Sequence, residues 1–194
     1  MKEYPDLYCF AAYHPDDNDA LAMARDLLDH PRVMGVKLQF LVQRFYPHDE
    51  RLFPLYEMVM ERGKRILFHV GNGPVGNRYV GIENFRKLLE RHPDLPANVA
   101  HMGALEYGEF IGLLDHHPNI YFDTTWAFLP KLGLMFDQKA EVLEDHRDRI
   151  VYGSDFPNLI YPREEEIACL KGFDLSDDFY QKVFRDNGLQ LLKK

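Results

Sequence analysis

Ile66-Leu67-Phe68-His69 is a short apolar run that ends on an ionisable residue, and two later segments repeat the pattern. Residues 98–100 run into His101 and residues 150–154 run into Asp155, each with a helix-like segment behind it. Strands of a parallel sheet are buried on both faces, so they read as nearly continuous apolar runs. Active sites of such folds gather where the strands end. The three segments therefore predict that two imidazoles and a carboxylate converge on one pocket.

Strand-like and helix-like segments alternate along the whole chain, with strands roughly 20–32 residues apart, which predicts a parallel sheet with crossover helices. The predicted strands cover residues 7–13, 33–38, 66–69, 98–101, 119–123 and 150–155. Two architectures fit this α/β alternation. One is an open doubly wound sheet. The other is a TIM-barrel-like (β/α) repeat that is incomplete, with about six of eight units, because eight units take at least about 200 residues.

Capping residues predict several helix ends. Asp17-Asn18 is expected to cap the first helix, and Asp49 to begin a helix that Gly63 ends. Ser176 is a candidate cap near the C-terminus. The glycines at positions 71–76 enclose Pro74 and lack the lysine of a phosphate loop, which disfavours nucleotide binding.

Composition narrows the class of protein. The 194 residues are expected to form a single domain over residues 1–194, and the net charge of −8 disfavours a nucleic-acid partner. No apolar stretch approaches the roughly 20 residues of a membrane span, and the N-terminus has no signal-peptide pattern. Cys9 and Cys169 lie far apart and predict no disulfide. We therefore expect a cytoplasmic protein with no membrane partner that acts on a small molecule.

His69, His101 and Asp155 are the predicted metal ligands. A zinc site needs three or four nitrogen, oxygen or sulfur ligands and one position open for water, and these side chains supply three. Asp155 is also a candidate general base, so its two roles compete; Asp155 and His101 are the predicted catalytic residues. The alternatives are that both histidines are hydrogen-bonded core residues and that Asp155 caps the turn after it.

Five further residues are predicted to bind substrate. Lys37 lies in a strand, and Arg44 and Arg78 add positive charge near the expected pocket mouth, which favours a substrate with a carboxylate. The predicted substrate-binding residues are Lys37, Arg78, Asn72, Trp126 and His14. For Lys37 the alternatives are a buried ion pair with Asp123 and, less favoured, carbamylation. Asp123 itself is as suited to orienting a histidine as to catalysis.

An ordered set of motifs resembles the amidohydrolase-related (amidohydrolase 2) family of metal-dependent hydrolases over nearly the whole chain. The set consists of Gly35-Val36-Lys37-Leu38, Gln43-Arg44-Phe45-Tyr46-Pro47, Phe68-His69-Val70-Gly71, His101-Met102-Gly103, Asn119-Ile120-Tyr121-Phe122-Asp123-Thr124 and Tyr152-Gly153-Ser154-Asp155-Phe156-Pro157. No single motif is specific, but their order and spacing are.

The resemblance implies a TIM barrel with one or two divalent metals at the C-terminal mouth of the strands, and the expected metal is zinc. It places residues 7–13 on strand 3, Lys37 on strand 4, His69 on strand 5, His101 on strand 6 and Asp155 on strand 8. The family's first strand carries a His-x-His pair of metal ligands, and this sequence contains no such pair. Because an incomplete barrel leaves open sheet edges, we expect a covering segment or a homo-oligomer.

Two classes of function remain open at this stage. The first is a metal-dependent hydrolase acting on a C–O or C–N bond of a small molecule, with a decarboxylase of the same family as the enzymatic alternative. The second is a catalytically inactive barrel remnant or binding protein, which the missing His-x-His pair favours.

Overall fold

Six parallel strands form one sheet in the computed structural model, which describes residues 4, 6–129, 135–158 and 161–193. Each strand pairs with the next one along the chain, in the order β1-β2-β3-β4-β5-β6. The strands are β1 (Cys9–Ala12), β2 (Val33–Gln39), β3 (Arg65–His69), β4 (Ala97–Val99), β5 (Ile120–Asp123) and β6 (Ile150–Val151).

The sequential strand order decides between the two predicted architectures. A doubly wound sheet needs a point at which the strand order reverses, and the described strands contain no reversal. Because parallel crossovers are right-handed, connections that all advance in one direction place their helices on one face. The sheet is therefore an arc of a (β/α) barrel, which confirms the partial TIM-barrel prediction, and β1 and β6 are its edges.

Helices follow the strands along the arc. They are α1 (Ala20–Leu28), α2 (Phe40–Gln43), α3 (Phe53–Glu61), α4 (Ile82–Arg91), α5 (Tyr107–Ile111), α6 (Ala140–Asp145), α7 (Arg163–Lys171), α8 (Asp177–Gln181) and α9 (Asn187–Leu192). α4 shows why they pack: it buries Ile82, Phe85, Leu88 and Leu89, which share one face at helical spacing. None of the described helices is long and apolar enough to cross a membrane.

Most of the predicted helix ends are confirmed. Asp49 accepts a hydrogen bond from the Arg51 N–H, Gly63 follows α3 with a φ of +60°, and Ser176 accepts from the Phe179 N–H. The prediction for Asp17-Asn18 is wrong. Asp19 precedes α1 instead, in a left-handed conformation and without a side-chain cap bond, because the Asp17 N–H closes a turn on the His14 carbonyl.

A row of buried phenylalanines joins the helices to the centre of the sheet. The ring of Phe68 on β3 lies 6.0 Å from that of Phe40 and 5.3 Å from that of Phe85, and Phe85 lies 5.9 Å from Phe110. All four side chains are fully buried. Aromatic pairs at these distances stabilise the fold beyond the area that they bury, so β3, which ends at His69, has a rigid support.

Two strands end earlier than the sequence predicts. β4 stops at Val99 because residues 100–103 form a tight turn, in which His101 and Met102 have left-handed backbones. β6 stops at Val151, where the Gly153 N–H donates to the Thr124 hydroxyl rather than to a neighbouring strand. His101 and Asp155 therefore lie on loops just beyond their strands.

Exposed apolar side chains collect near the β1 edge. Leu7 and Tyr8 precede the strand, and Met23 and Leu27 lie on α1; all four are more than 40 % exposed. At the other end of the arc, Leu189 on α9 is also exposed. Exposed apolar side chains at a sheet edge form a candidate contact surface.

Candidate active site

His69 and His101 contact each other at the C-terminal end of the sheet. The Nδ1 atom of His69 lies 3.2 Å from Nε2 of His101, and the two rings meet edge to face with centroids 4.9 Å apart. His69 ends β3, and His101 lies in the turn after β4, the neighbouring strand. The prediction that strand ends bring these two imidazoles together is therefore correct in position.

The partners of the two rings define their tautomers when both are neutral. Nδ1 of His101 lies 3.2 Å from the Thr125 carbonyl oxygen, which only accepts, so this nitrogen carries the proton. Nε2 of His101 then accepts from the Nδ1–H of His69. Nε2 of His69 is left with its lone pair, and it is buried without a hydrogen-bond partner among the described residues.

Burial keeps His69 neutral. The pKa of His69 is lowered to about 4, chiefly by removal from water; the positive charges of His101 and Lys37 contribute to the decrease, and Asp155 partly offsets it. At neutral pH the lone pair on Nε2 is therefore available to a metal ion or to a hydrogen-bond donor.

His69 should make the stability of the metal-free protein depend on pH. An unfolded histidine titrates near pH 6.5, so between that pH and about 4 the unfolded chain binds a proton that the folded chain does not. The free energy of unfolding is expected to be highest above pH 6.5 and to fall by up to about 3 kcal/mol as the pH drops to 4. Urea unfolding at several pH values, with chelator present, measures this slope.

The His69→Asn variant should lose this part of the slope, because asparagine does not titrate. The exposed His116 provides the matched control, and His116→Asn should keep the wild-type slope. A slope that is identical in wild type and His69→Asn would show that His69 titrates normally in the folded protein.

Asp123 fixes the loops that carry the site. Its Oδ1 accepts from the backbone N–H of His101 at 3.0 Å and from that of Thr125 at 3.1 Å. The alternative that Lys37 pairs with Asp123 is not what the structure shows, since no described carboxylate lies within 4 Å of the Lys37 ammonium. Asp123 therefore orients His101 through its backbone and leaves the charge of Lys37 unneutralised.

A cavity of about 350 Å³ opens beside the histidine pair. Lys37, Trp126 and Asp155 line it together with His69 and His101. Its other lining residues are Gln39, Leu41, Gly73, Pro74, Ala104 and Asn158. This size suits a small-molecule ligand, and the cavity combines one cationic, one acidic and two imidazole side chains.

Three of the lining residues have left-handed backbones. The φ angles are +58° at His101, +65° at Trp126 and +47° at Asp155. Such conformations are uncommon outside glycine and cost energy that the surrounding structure must offset. Their concentration around one cavity makes it the candidate functional site.

The remaining predicted substrate-binding residues lie outside the cavity lining. Asn72 donates to the Glu106 carboxylate at 2.7 Å. Arg78 is exposed and donates to the Tyr79 hydroxyl, and the His14 ring packs edge to face on Phe45. Their role in substrate binding stays a prediction, and the geometry supplies a structural role for each.

The described residues supply only part of a metal site. Nε2 of His69 has a lone pair without a hydrogen-bond partner among the described residues, whereas Nε2 of His101 accepts a hydrogen bond from His69. Among the residues that the structure describes, no group of three or more His, Cys, Asp or Glu side chains is placed to hold a metal ion. Asp155 lines the same cavity, but it does not complete such a group with the two histidines.

Sequence reasoning missed two residues of interest. Gln39 lines the cavity at the end of β2, directly opposite His69 in the strand register. It could have been found, because it is a polar residue at a strand end. Glu166 on α7 is 1 % exposed, and its position in a run of charged residues gave no sign of burial.

Comparison with known proteins gives a family match and several structural neighbours. A model of the amidohydrolase family matches residues 2–194. No curated protein matches the sequence. An uncharacterised TIM-barrel protein from Bordetella bronchiseptica superimposes with a TM-score of 0.81 at 21 % identity, covering 99 % of this chain and 69 % of that one.

Two further solved structures carry informative ligands. A probable 2-pyrone-4,6-dicarboxylic acid hydrolase from Acinetobacter baumannii, with citric acid bound, has a TM-score of 0.73 at 14 % identity and covers 100 % of this chain and 76 % of that one. A 5-carboxyvanillate decarboxylase from Novosphingobium aromaticivorans, with bound manganese and a nitrobenzoic acid, has a TM-score of 0.68 at 16 % identity and covers 100 % and 67 %. At these identities the likeness shows the shared fold.

Proposed function

Because the chain belongs to the amidohydrolase family, we propose that it is a metal-dependent hydrolase acting on a C–O or C–N bond of a small, carboxylate-bearing molecule. The observation that carries this proposal is the contact between the two histidines in a cavity that Lys37 and Asp155 also line. A solved hydrolase and a solved decarboxylase share the fold.

Lys37 is the reason for proposing a substrate that bears a carboxylate. Its ammonium group lies at the cavity without a described carboxylate partner, and its charge is close enough to lower the pKa of His69. An unneutralised cation in a cavity binds an anionic group through charge-assisted hydrogen bonds. The ligands of two relatives, citric acid and a nitrobenzoic acid, are also carboxylic acids.

Asp155 is the proposed general base. Its carboxylate would accept a proton from the attacking water and return it to the leaving oxygen or nitrogen. The Asp123 carboxylate, which accepts from the His101 backbone N–H, and the Thr125 carbonyl, which accepts from the His101 ring, hold the His101 ring beside the cavity. His69, with its free Nε2, is the proposed ligand for a divalent ion, zinc or manganese, which would lower the pKa of a bound water. Because no group of three such ligands lies together among the described residues, the ion would need further ligands in addition to His69.

A panel of small lactones, cyclic esters and amides, each with and without a carboxylate, tests the proposal. We expect hydrolysis in the presence of added zinc or manganese, faster for the carboxylate-bearing compounds. The Asp155→Asn variant should be slower by a factor of about 10²–10⁴, while Asp94→Asn, which changes an exposed residue, should match wild type. Equal rates for wild type and Asp155→Asn would exclude Asp155 as the base.

Two alternatives have their own support. Release of carbon dioxide from aromatic acids, without hydrolysis of the panel, would favour a decarboxylase. Binding of carboxylates without any turnover would favour a binding protein, which the absence of a three-ligand group among the described residues supports.

The open edges of the sheet lead to a separate proposal about association. We propose that the apolar surface at Leu7, Tyr8, Met23 and Leu27 is covered by a second copy of the chain or by additional β/α units. Analytical ultracentrifugation tests this, and a monomer with both edges exposed to solvent would contradict it.

A further inference from the structure

Glu166 is a buried acid without an evident partner. It lies on α7, the helix that follows β6, and its side chain is 1 % exposed. Neither carboxyl oxygen has a hydrogen-bond partner of normal geometry among the described residues. Burying a carboxyl group in this way is costly, so the burial of Glu166 requires an explanation.

The groups around Glu166 belong to the segments that carry the candidate active site. The backbone N–H of Trp126 faces its carboxyl group, and the carboxylates of Asp123 and Asp155 are close enough to act on it electrostatically. The phenol of Tyr152 is a further neighbour, and its hydroxyl is also buried without a partner among the described residues. The pKa of Glu166 is raised to about 7, chiefly by burial; the Trp126 N–H partly offsets the increase, and the carboxylates of Asp123 and Asp155 contribute to it.

Trp126 connects Glu166 to the histidine pair. It has a left-handed backbone, and its indole lines the cavity with its ring 6.2 Å from that of His101. The carbonyl of the preceding residue, Thr125, accepts from Nδ1 of His101. A group that fixes the backbone at Trp126 therefore also fixes the orientation of the His101 ring.

We propose that Glu166 is a positioning residue that braces the backbone of Trp126 from α7 and so sets the placement of the indole and of His101 in the cavity. The proposal goes beyond the proposed function, since it requires neither a metal nor a substrate. It accounts for the buried acid: the carboxyl group supports a left-handed residue that carries a cavity wall.

Trp126 is the only tryptophan of the chain, so its fluorescence reports directly on this contact. Glu166→Ala is expected to shift the emission to longer wavelength and to increase quenching by acrylamide, because the loop loses its support. Glu166→Gln should restore wild-type values, since glutamine keeps the volume and a side-chain oxygen that faces the Trp126 N–H. Glu164→Gln, an exposed change on the same helix, is the matched control and should have no effect.

Two additions keep the test decisive. The ring signals of His101 in two-dimensional NMR should move in Glu166→Ala and return in Glu166→Gln, which a purely structural role of α7 would not produce. Where Glu166→Ala does not fold, Glu166→Asp, which draws the carboxyl group back by one methylene, is expected to show the same direction of change. A folded Ala or Asp variant with wild-type emission, quenching and His101 signals would overturn the proposal.

Discussion

Replacing His69 by alanine is expected to weaken the binding of zinc or manganese by at least about 100-fold. In the neutral histidine pair, Nε2 of His69 is the nitrogen whose lone pair has no partner, and its low pKa keeps protons from competing at neutral pH. Titration calorimetry on protein first stripped with chelator, followed by elemental analysis, measures the affinity and the stoichiometry.

Controls separate this effect from general damage. His116→Ala changes an exposed histidine and should bind metal as wild type does. Asp155→Ala should also weaken binding if this carboxylate completes the ligand set. Wild-type affinity in His69→Ala would identify His69 as a hydrogen-bonded core residue, and a wild type that binds no metal would favour the binding-protein alternative.

Replacing Gly35 by alanine is expected to lower the free energy of unfolding by more than about 4 kcal/mol or to prevent folding. A Cβ atom at this position would lie 1.6 Å from the backbone oxygen of Arg65, its partner in the pairing of β2 with β3. Backbone atoms in a strand pair cannot move away without breaking the ladder, so the clash acts on the centre of the sheet. Urea unfolding followed by circular dichroism measures the loss.

Gly188 supplies the matched control. It lies in α9, and a Cβ atom there would meet nothing within 4 Å. Gly188→Ala should therefore raise the free energy of unfolding by about 0.5–1 kcal/mol through helix propensity. Wild-type stability in Gly35→Ala would mean that Gly35 and Arg65 do not face each other as described.

The apolar strand runs were sufficient to predict much of the fold. The runs that lead to His69, His101 and Asp155 each contain a strand, although β4 and β6 stop before the end of theirs, because buried parallel strands need continuous apolar sequence. The order of the strands was not readable from the same runs, since doubly wound sheets and barrels share the β/α alternation. The family resemblance, rather than the periodicity, pointed to the barrel.

Details of the site depended on long-range contacts that periodicity does not report. The left-handed turn at His101 is fixed by Asp123 on the adjacent strand, and nothing next to His101 in the sequence signals it. Glu166 is the last of three consecutive glutamates, a pattern typical of an exposed helix start. Its burial depends on contacts with residues distant in the sequence, among them the backbone of Trp126. Gln39 could have been predicted, because it is a polar residue at the C-terminal end of a strand, like the other predicted site residues.

Pairing every strand with its predecessor has a consequence for how the chain folds during synthesis. The residues that pair across the sheet, such as Phe10 with Gly35 and Leu67 with Asn98, are separated by little more than one β/α unit. Parallel pairing cannot be more local than one β/α unit, so each new strand closes only a loop of that length, and the entropy cost of closure grows with loop length. We expect the sheet to grow strand by strand from its N-terminal end as the ribosome delivers each unit, with the histidine pair assembled before Asp155 has emerged.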